Sequence, residues 1–273
     1  MKSYVCITGG AGGLGKAFAV ECASRGWDVF LTDTNEESLA RIAEGLQNTY
    51  GISVCYEVCD LTNVASRTKL FETIEAKGCY FWSLINVAGV DFEGTFLDNS
   101  KEQIRNIVRL NIEANLEMTH EIMRFRGKGR TFRIINVASM AAYYPIPIKA
   151  TYAASKRFLL NFSLALREEI KGFGATVTTL CPGGMPTNPL VIKCIEAQGF
   201  MGRMTTNNVG YVASNTIRRA LKGKAVYIPG VANRMLHFLG RWVPQTIIAR
   251  CLSVRWKGAF KKSHGPKGVE VWT

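Results

Sequence analysis

The chain has 273 residues, 47% of them apolar, and a formal charge of +13. That composition can fill a sizeable core in one large α/β domain and excludes a disordered chain. No stretch of about 18 uncharged apolar residues occurs, so no spanning helix is read, and Tyr4 to Ile7 follow no charged leader, so no secretory signal is read.

Tyr4 to Thr8 predicts a buried strand, followed by Gly9, Gly10, Gly12, Gly13, Leu14 and Gly15 and then by a helix from Lys16 to Ala23. Strand, glycine turn and helix form a cradle for a pyrophosphate, because the backbone approaches closely and the helix start presents amide groups and a positive dipole. Asp28 to Asp33 predicts a second strand ending on an acid. A carboxylate about 20 residues past the glycines accepts hydrogen bonds from adenosine ribose and repels a 2′-phosphate. Asp33 therefore favours NAD, with NADP kept open by Lys16, the nearest basic residue.

A helix is expected from Asn35 to Tyr50 and a third strand from Ile52 to Val58, closing on Cys59, Asp60, Leu61 and Thr62. Asp60 is placed to meet an adenine edge and Leu61 its ring; a helix N-cap from Asp60 or Thr62 is the compatible structural role. Phe81 to Gly89 predicts a fourth strand whose end, Asn86, Val87, Ala88 and Gly89, is small enough for a cofactor to pass. A single long helix from about Ser100 to Phe125 is expected to carry Asn111, as a core residue or as the holder of a water near Lys156.

The fifth strand is expected to end at Ser139, and a helix carrying Tyr152 and Lys156 follows it to about Lys171. Residues four apart share a helix face. A fixed ammonium beside a phenol favours the phenolate and makes tyrosine a usable acid or base. Ser139 is placed to hydrogen-bond the same substrate oxygen. Thr176 to Cys181 predicts a sixth strand, and the alternation implies a parallel sheet with helices on both faces and ligands at the strands' carboxyl ends.

Pro189 to Ile192, with Phe200 and Met201, reads as an apolar lid interrupted by Lys193, Glu196 and Arg203. With Val90, Phe92, Phe96, Met140, Tyr143 and Tyr144 it suggests a greasy cleft, or else lid and subunit packing. Ala225 to Pro229 predicts a seventh strand. Val231 to Arg241 and Pro244 to Trp256 read as two basic amphipathic helices, suited to subunit or lid packing or to a peripheral membrane contact through 231–262. Lys257 to Thr273 reads as a loosely ordered end.

Eight cysteines lack Cys-x-x-Cys spacing, and His120, His237 and His264 lie far apart. Buried thiols are expected, without a metal site, in a reducing cytoplasmic compartment, with peripheral attachment at the membrane kept open. From Arg218 onward twelve Lys or Arg residues meet one acid, Glu270; no nucleic-acid motif accompanies them, and no nucleic-acid partner is expected.

Thr8-Gly9-x-x-x-Gly13-x-Gly15, Asp60, Asn86-x-Ala88-Gly89, Asn111, Ser139, Tyr152-x-x-x-Lys156 and Pro182-Gly183 with Thr187 together resemble the classical short-chain dehydrogenase/reductase family. The resemblance implies a Rossmann-type doubly wound parallel seven-stranded domain over 1–230, with 231–273 as a basic amphipathic helical extension. It implies NAD(P), a homodimer or homotetramer, and Tyr152 as acid/base, with Lys156 depressing its pKa and binding nicotinamide ribose. Ser139 would steady the substrate oxygen, Asn111 anchor a proton-relay water and Thr187 hold the nicotinamide carboxamide, with Pro182 and Gly183 beside the cofactor. Val87 departs from the commoner Asn-Asn-Ala-Gly form. The expected activity interconverts a secondary alcohol and a ketone on an apolar substrate such as a hydroxysteroid or bile acid. A 3-oxoacyl or other lipid-type carbonyl reductase is the alternative, and a non-catalytic dinucleotide sensor the further one.

Overall fold

Side-chain alternation along the strands builds two cores, one on each face of a single sheet. The structure, a computed structural model, describes residues 2–187 and 189–264. Its strands are β1 (Ser3–Thr8), β2 (Val29–Asp33), β3 (Val54–Val58), β4 (Tyr80–Asn86), β5 (Phe132–Val137), β6 (Ala175–Leu180) and β7 (Val226–Tyr227). They pair in the order β3-β2-β1-β4-β5-β6-β7, every pair parallel. The helices in chain order are α1 (Gly13–Ala23), α2 (Glu36–Tyr50), α3 (Val64–Ala76), α4 (Lys101–Val108), α5 (Ala114–Arg124), α6 (Ala150–Glu169), α7 (Pro189–Ala197), α8 (Gly199–Thr205), α9 (Val209–Leu221), α10 (Val231–Gly240) and α11 (Gln245–His264).

Val5, Ile7, Val29 and Leu31 turn to one face and pack with Phe18 of α1, Leu39 of α2 and Ile217 of α9. Tyr4, Cys6 and Phe30 turn to the other and meet Leu70 and Ile74 of α3 with Met118 and Ile122 of α5. Each large apolar side chain so buried contributes about 1.5–3 kcal/mol relative to exposure. Strand order reverses at β1 and β4, and the crevice that opens there, over the strands' carboxyl ends, is where a ligand fits in such sheets.

Several boundaries differ from expectation for local reasons. The long helix expected over 100–125 is broken by a π turn at Arg109–Glu113, which holds Asn111. The Asn115 amide takes up the carbonyls of Leu110 and Asn111 at 3.1 Å each, and apolar spacing cannot distinguish such a widened turn from continuous α-helix. Neither Asp60 nor Thr62 caps α3. Asn63 does, while Asp60 Oδ1 accepts from Thr62 N at 2.8 Å in a local turn. The fifth strand stops at Val137, and the seventh keeps only two residues of the five expected. The last helix runs to His264, eight residues past the expected end at Trp256. Asn188, the stretch 265–273, and the side chains of Pro189, Leu190 and Met201 expected in the lid lie outside the described residues.

Candidate active site

One cleft of about 1400 Å³ runs from the glycine turn, past the carboxyl ends of β4 and β5, to α10 and α11. Gly9, Gly12, Gly13, Leu14 and Gly15 line its first end, with Asp33, Asp60 and Leu61 beside them. Two glycines there are obligatory. Gly9 stands at φ +66 with Ala88 only 3.0 Å from where a Cβ would be, and a Cβ on Gly15 would lie 1.9 Å from the Gly9 carbonyl oxygen. Helix α1 begins against the turn with no side-chain cap, so its first amides face the cleft without a protein acceptor from Gly12.

The Asp33 carboxylate is held rigidly, accepting from Ala11 N at 3.0 Å and Thr34 N at 2.8 Å. Lys16 is exposed and does not line the cleft. Leu61 is fixed from behind by Arg67, a residue that sequence reading passed over. Its guanidinium is 1% exposed, donates to the Leu61 carbonyl at 2.7 Å and to Glu117 at 2.6 Å, and pairs with Glu113.

Ala88, Gly89, Ser139, Tyr152 and Lys156 line the middle of the cleft, with Pro182, Gly183 and Thr187 across from them. The Lys156 ammonium is buried and donates to the Val137 carbonyl at 3.0 Å. Gly89 leaves it room, since a Cβ there would sit 3.0 Å from Nζ and 3.1 Å from Asn111 Oδ1. Thr187 stands against Gly13, whose Cβ would meet it at 3.0 Å.

Two expected site residues do not line the cleft. Asn86 turns into the sheet, donating to Asn136 at 3.0 Å and Thr119 at 3.1 Å, and so ties β4 to β5 and α5. Asn111 is completely buried. Its amide donates to Val90 O at 2.9 Å and Ser155 at 3.0 Å and accepts from Val90 N at 2.9 Å. Both donor hydrogens are thus used to clamp the loop after β4 to α6, and the side chain has none left for a water.

Lys149 is the residue that motif reading missed, three positions before Tyr152 at the N-cap of α6. Ile148 delivers it from φ 72, a left-handed conformation costing a β-branched residue about 1–3 kcal/mol. The Lys149 ammonium pairs with Asp91 and, at 2.5 Å, with Glu93, and lies 5.7 Å from the Tyr152 ring and 5.1 Å from the Trp256 ring. Burial works against its charge, but the two carboxylates outweigh it and hold the lysine well above its ordinary range.

Burial and then Asp91 push the Tyr152 phenol up to about 12, opposed by hydrogen bonding with Ser139 and by the Lys149 charge. Burial also brings Lys156 down to about 8, against the pull of Asp91 and Cys181. Lys156 Nζ, while donating to Val137 O, lies 5.7 Å from the Tyr152 ring, the same distance as Lys149, so two ammonium groups flank the phenol and Lys149 adds a second cation to the one expected.

Val90, Phe92, Met140 and Tyr144 line the cleft as expected, with Val191 and Ile195 from α7. Tyr143 instead lies against the His237 ring at 4.0 Å, and Phe96, Ile192 and Phe200 face outward, at 58%, 40% and 71% exposure. The remaining apolar wall comes from the two last helices and the turn between them: Leu236 and Leu239, then Val243, then Ile248, Leu252 and Trp256.

The sequence matches the short chain dehydrogenase family over residues 3–192, and the chain belongs to that family. It is 31% identical over 191 residues to 17-beta-hydroxysteroid dehydrogenase type 3 of Homo sapiens, with 68% of this chain and 60% of that one covered. It is likewise 31% identical over 181 residues to the very-long-chain 3-oxoacyl-CoA reductase of Laccaria bicolor, covering 65% and 53%. The chain thus spans less than two thirds of the length of these curated relatives. A solved structure from a study of 7beta-hydroxysteroid dehydrogenase stereoselectivity superposes with a TM-score of 0.81 at 23% identity, over 92% of this chain and 96% of that one. At that identity the likeness is one of fold.

Proposed function

We propose that the protein is a nicotinamide-dinucleotide oxidoreductase that interconverts a secondary alcohol and a ketone on an apolar substrate. The observation that carries this reading is the continuous cleft joining a glycine-rich turn to Ser139, Tyr152 and Lys156 under an apolar wall. The backbone from Gly9 to Gly13 fits a pyrophosphate, since its glycines present no Cβ and the start of α1 faces it. Asp33 would meet the adenosine ribose, Asp60 and Leu61 the adenine, and Thr187 with the Pro182-Gly183 backbone the nicotinamide end.

When bound, the nicotinamide supplies or takes up the hydride. The chain's own residues handle the proton. In reduction the Tyr152 hydroxyl gives its proton to the carbonyl oxygen, while Ser139 hydrogen-bonds that oxygen as its charge grows. In oxidation the phenolate takes the alcohol proton back. Lys156 adds buried positive potential below the ring, and Lys149 does so from the substrate side.

NAD is favoured over NADP. A 2′-phosphate at Asp33 would meet a fixed carboxylate, and the basic residues lining the cleft, Lys149, Lys156 and Arg255, belong to α6, its N-cap and α11, not to the glycine turn. Five aliphatic or aromatic residues from α10 and α11, with Val243 between the helices, favour a rigid apolar substrate of steroid or bile-acid type. The likeness to the Laccaria bicolor reductase supports a 3-oxoacyl chain as the second reading. Purified full-length protein incubated with hydroxysteroids, bile acids or 3-hydroxyacyl thioesters should build up the reduced-nicotinamide absorbance band faster with NAD than with NADP. Binding of neither dinucleotide would overturn the reading, and a preference for NADP would overturn the role given to Asp33.

A further inference from the structure

We infer that α10 and α11 seat the protein on an anionic phospholipid surface, with the mouth of the cleft turned toward the lipid so that substrate enters from the bilayer. The entry of substrate rests on the function proposed above; the docking does not.

The outward side of these helices is apolar to a degree that a solvated surface does not need. Met235 and Phe238 are each 59% exposed, Trp242 80% and Val254 79%. Contiguous exposure of this kind marks an interaction surface. The patch extends onto α8 through Phe200 and Met204, and the buried Asn233 fastens α10 to α8 by donating to the Thr205 carbonyl at 3.0 Å.

Charge decides what covers it. By sequence 231–262 holds seven Lys or Arg residues and no acid, and among the described side chains Arg234, Arg241, Arg250 and Arg255 are exposed. A second copy placed on this face by twofold symmetry would set that positive charge against itself. Anionic headgroups complement it, each basic residue near the surface adding attraction that salt screens. Exposed Trp and Phe beside Arg is the composition of a helix lying in a membrane interface. Among the described residues no helix is long and apolar enough to cross a bilayer, so the contact is with the surface.

Continuity decides what the contact is for. Ile248, Leu252 and Trp256, four apart, form the stripe by which α11 walls the cleft, while Ile247 and Val254 point away from it. Leu239 and Val243 belong to both surfaces: each lines the cleft and each is exposed, at 59% and 38%. The apolar lining of the cleft therefore runs out over its rim into the apolar patch. A substrate dissolved in lipid would enter over Leu239 and Val243.

The test uses the full chain with phosphatidylcholine vesicles and with vesicles that also contain phosphatidylserine. The protein should pellet with the anionic vesicles, less so as salt is raised, and Trp242 fluorescence should be quenched by brominated lipid. Phe238→Ser with Trp242→Ser, and separately Arg241→Glu with Arg250→Glu, should each lower the partition coefficient by roughly tenfold or more. None of these four residues lines the cleft, so dinucleotide binding and turnover of a detergent-dispersed substrate should be unchanged, while turnover of vesicle-embedded substrate falls with binding. Wild-type protein that stays in the supernatant, or variants that pellet as well as wild type, would overturn the docking. Dimers that dissociate on Phe238→Ser/Trp242→Ser, without vesicle binding, would assign the face to a second copy instead. Vesicle binding without any turnover would defeat the proposed activity and leave the docking standing.

Discussion

The Tyr152 hydroxyl is pushed up to about 12 by burial first and by Asp91 second, and is eased back by Ser139 and Lys149. Lys149 is itself held charged by Asp91 and Glu93, and Trp256 covers it. Lys149→Met removes the lowering influence and takes from Asp91, which raises the phenol, the lysine that offsets it, so the phenol rises. The acid-side limb of the kcat/KM profile for alcohol oxidation, along which the rate rises as the phenol ionises, should move up by roughly one pH unit, and a limb that stays put or moves down would remove Lys149 from the site.

Lys156 carries a stability signature of opposite sense. Its value in the folded chain, about 8, lies below the ordinary 10.5, so between those values the unfolded chain binds the extra proton and folding gains as pH rises. Relative to Lys156→Met, the native protein should gain stability on the order of 3 kcal/mol in urea melts across that window; a flat difference would mean that the lysine is not buried as seen. Tyr152 and Lys156 were legible in sequence because a fixed four-residue spacing survives any backbone detail. Lys149, Asp91 and Glu93 were not, because their meeting depends on the left-handed turn at Ile148 and on a loop 58 residues upstream.

Among the elements, all seven strands lie where the sequence places them, with ends shifted by up to three residues, since burial on both faces produces unbroken apolar runs bounded by small residues. The break between α4 and α5 is invisible in the sequence, because Asn115 takes up the Leu110 and Asn111 carbonyls through its side chain and leaves the apolar pattern intact. Arg67 shows what such bonds do for the cleft. It joins α3 to the π turn and α5 through Glu113 and Glu117, and the same guanidinium holds the Leu61 carbonyl. Both acids are partly exposed and can be resolvated, so Arg67→Met should cost roughly 2–3 kcal/mol, less than a fully buried pair. It should also weaken dinucleotide binding several-fold by freeing the Leu61 loop. A variant that loses stability but binds NAD with unaltered affinity would separate the ion pair from the adenine pocket.

At the scale of the molecule, every strand directs its carboxyl end to one edge of the sheet, and the switch between β1 and β4 gathers there residues from Gly9 to Thr187. That gathering was predictable from topology alone. The apolar wall was not: the sequence shows two amphipathic helices after β7, and only packing shows that Leu236, Ile248, Leu252 and Trp256 turn into the cleft while Trp242 turns out. The central claim is that the glycine turn and Tyr152 serve one reaction. It is tested most directly by measuring dinucleotide affinity and turnover together in Tyr152→Phe. The account predicts binding within a few-fold of the native protein and turnover lower by at least about a hundredfold; full turnover in that variant would contradict it.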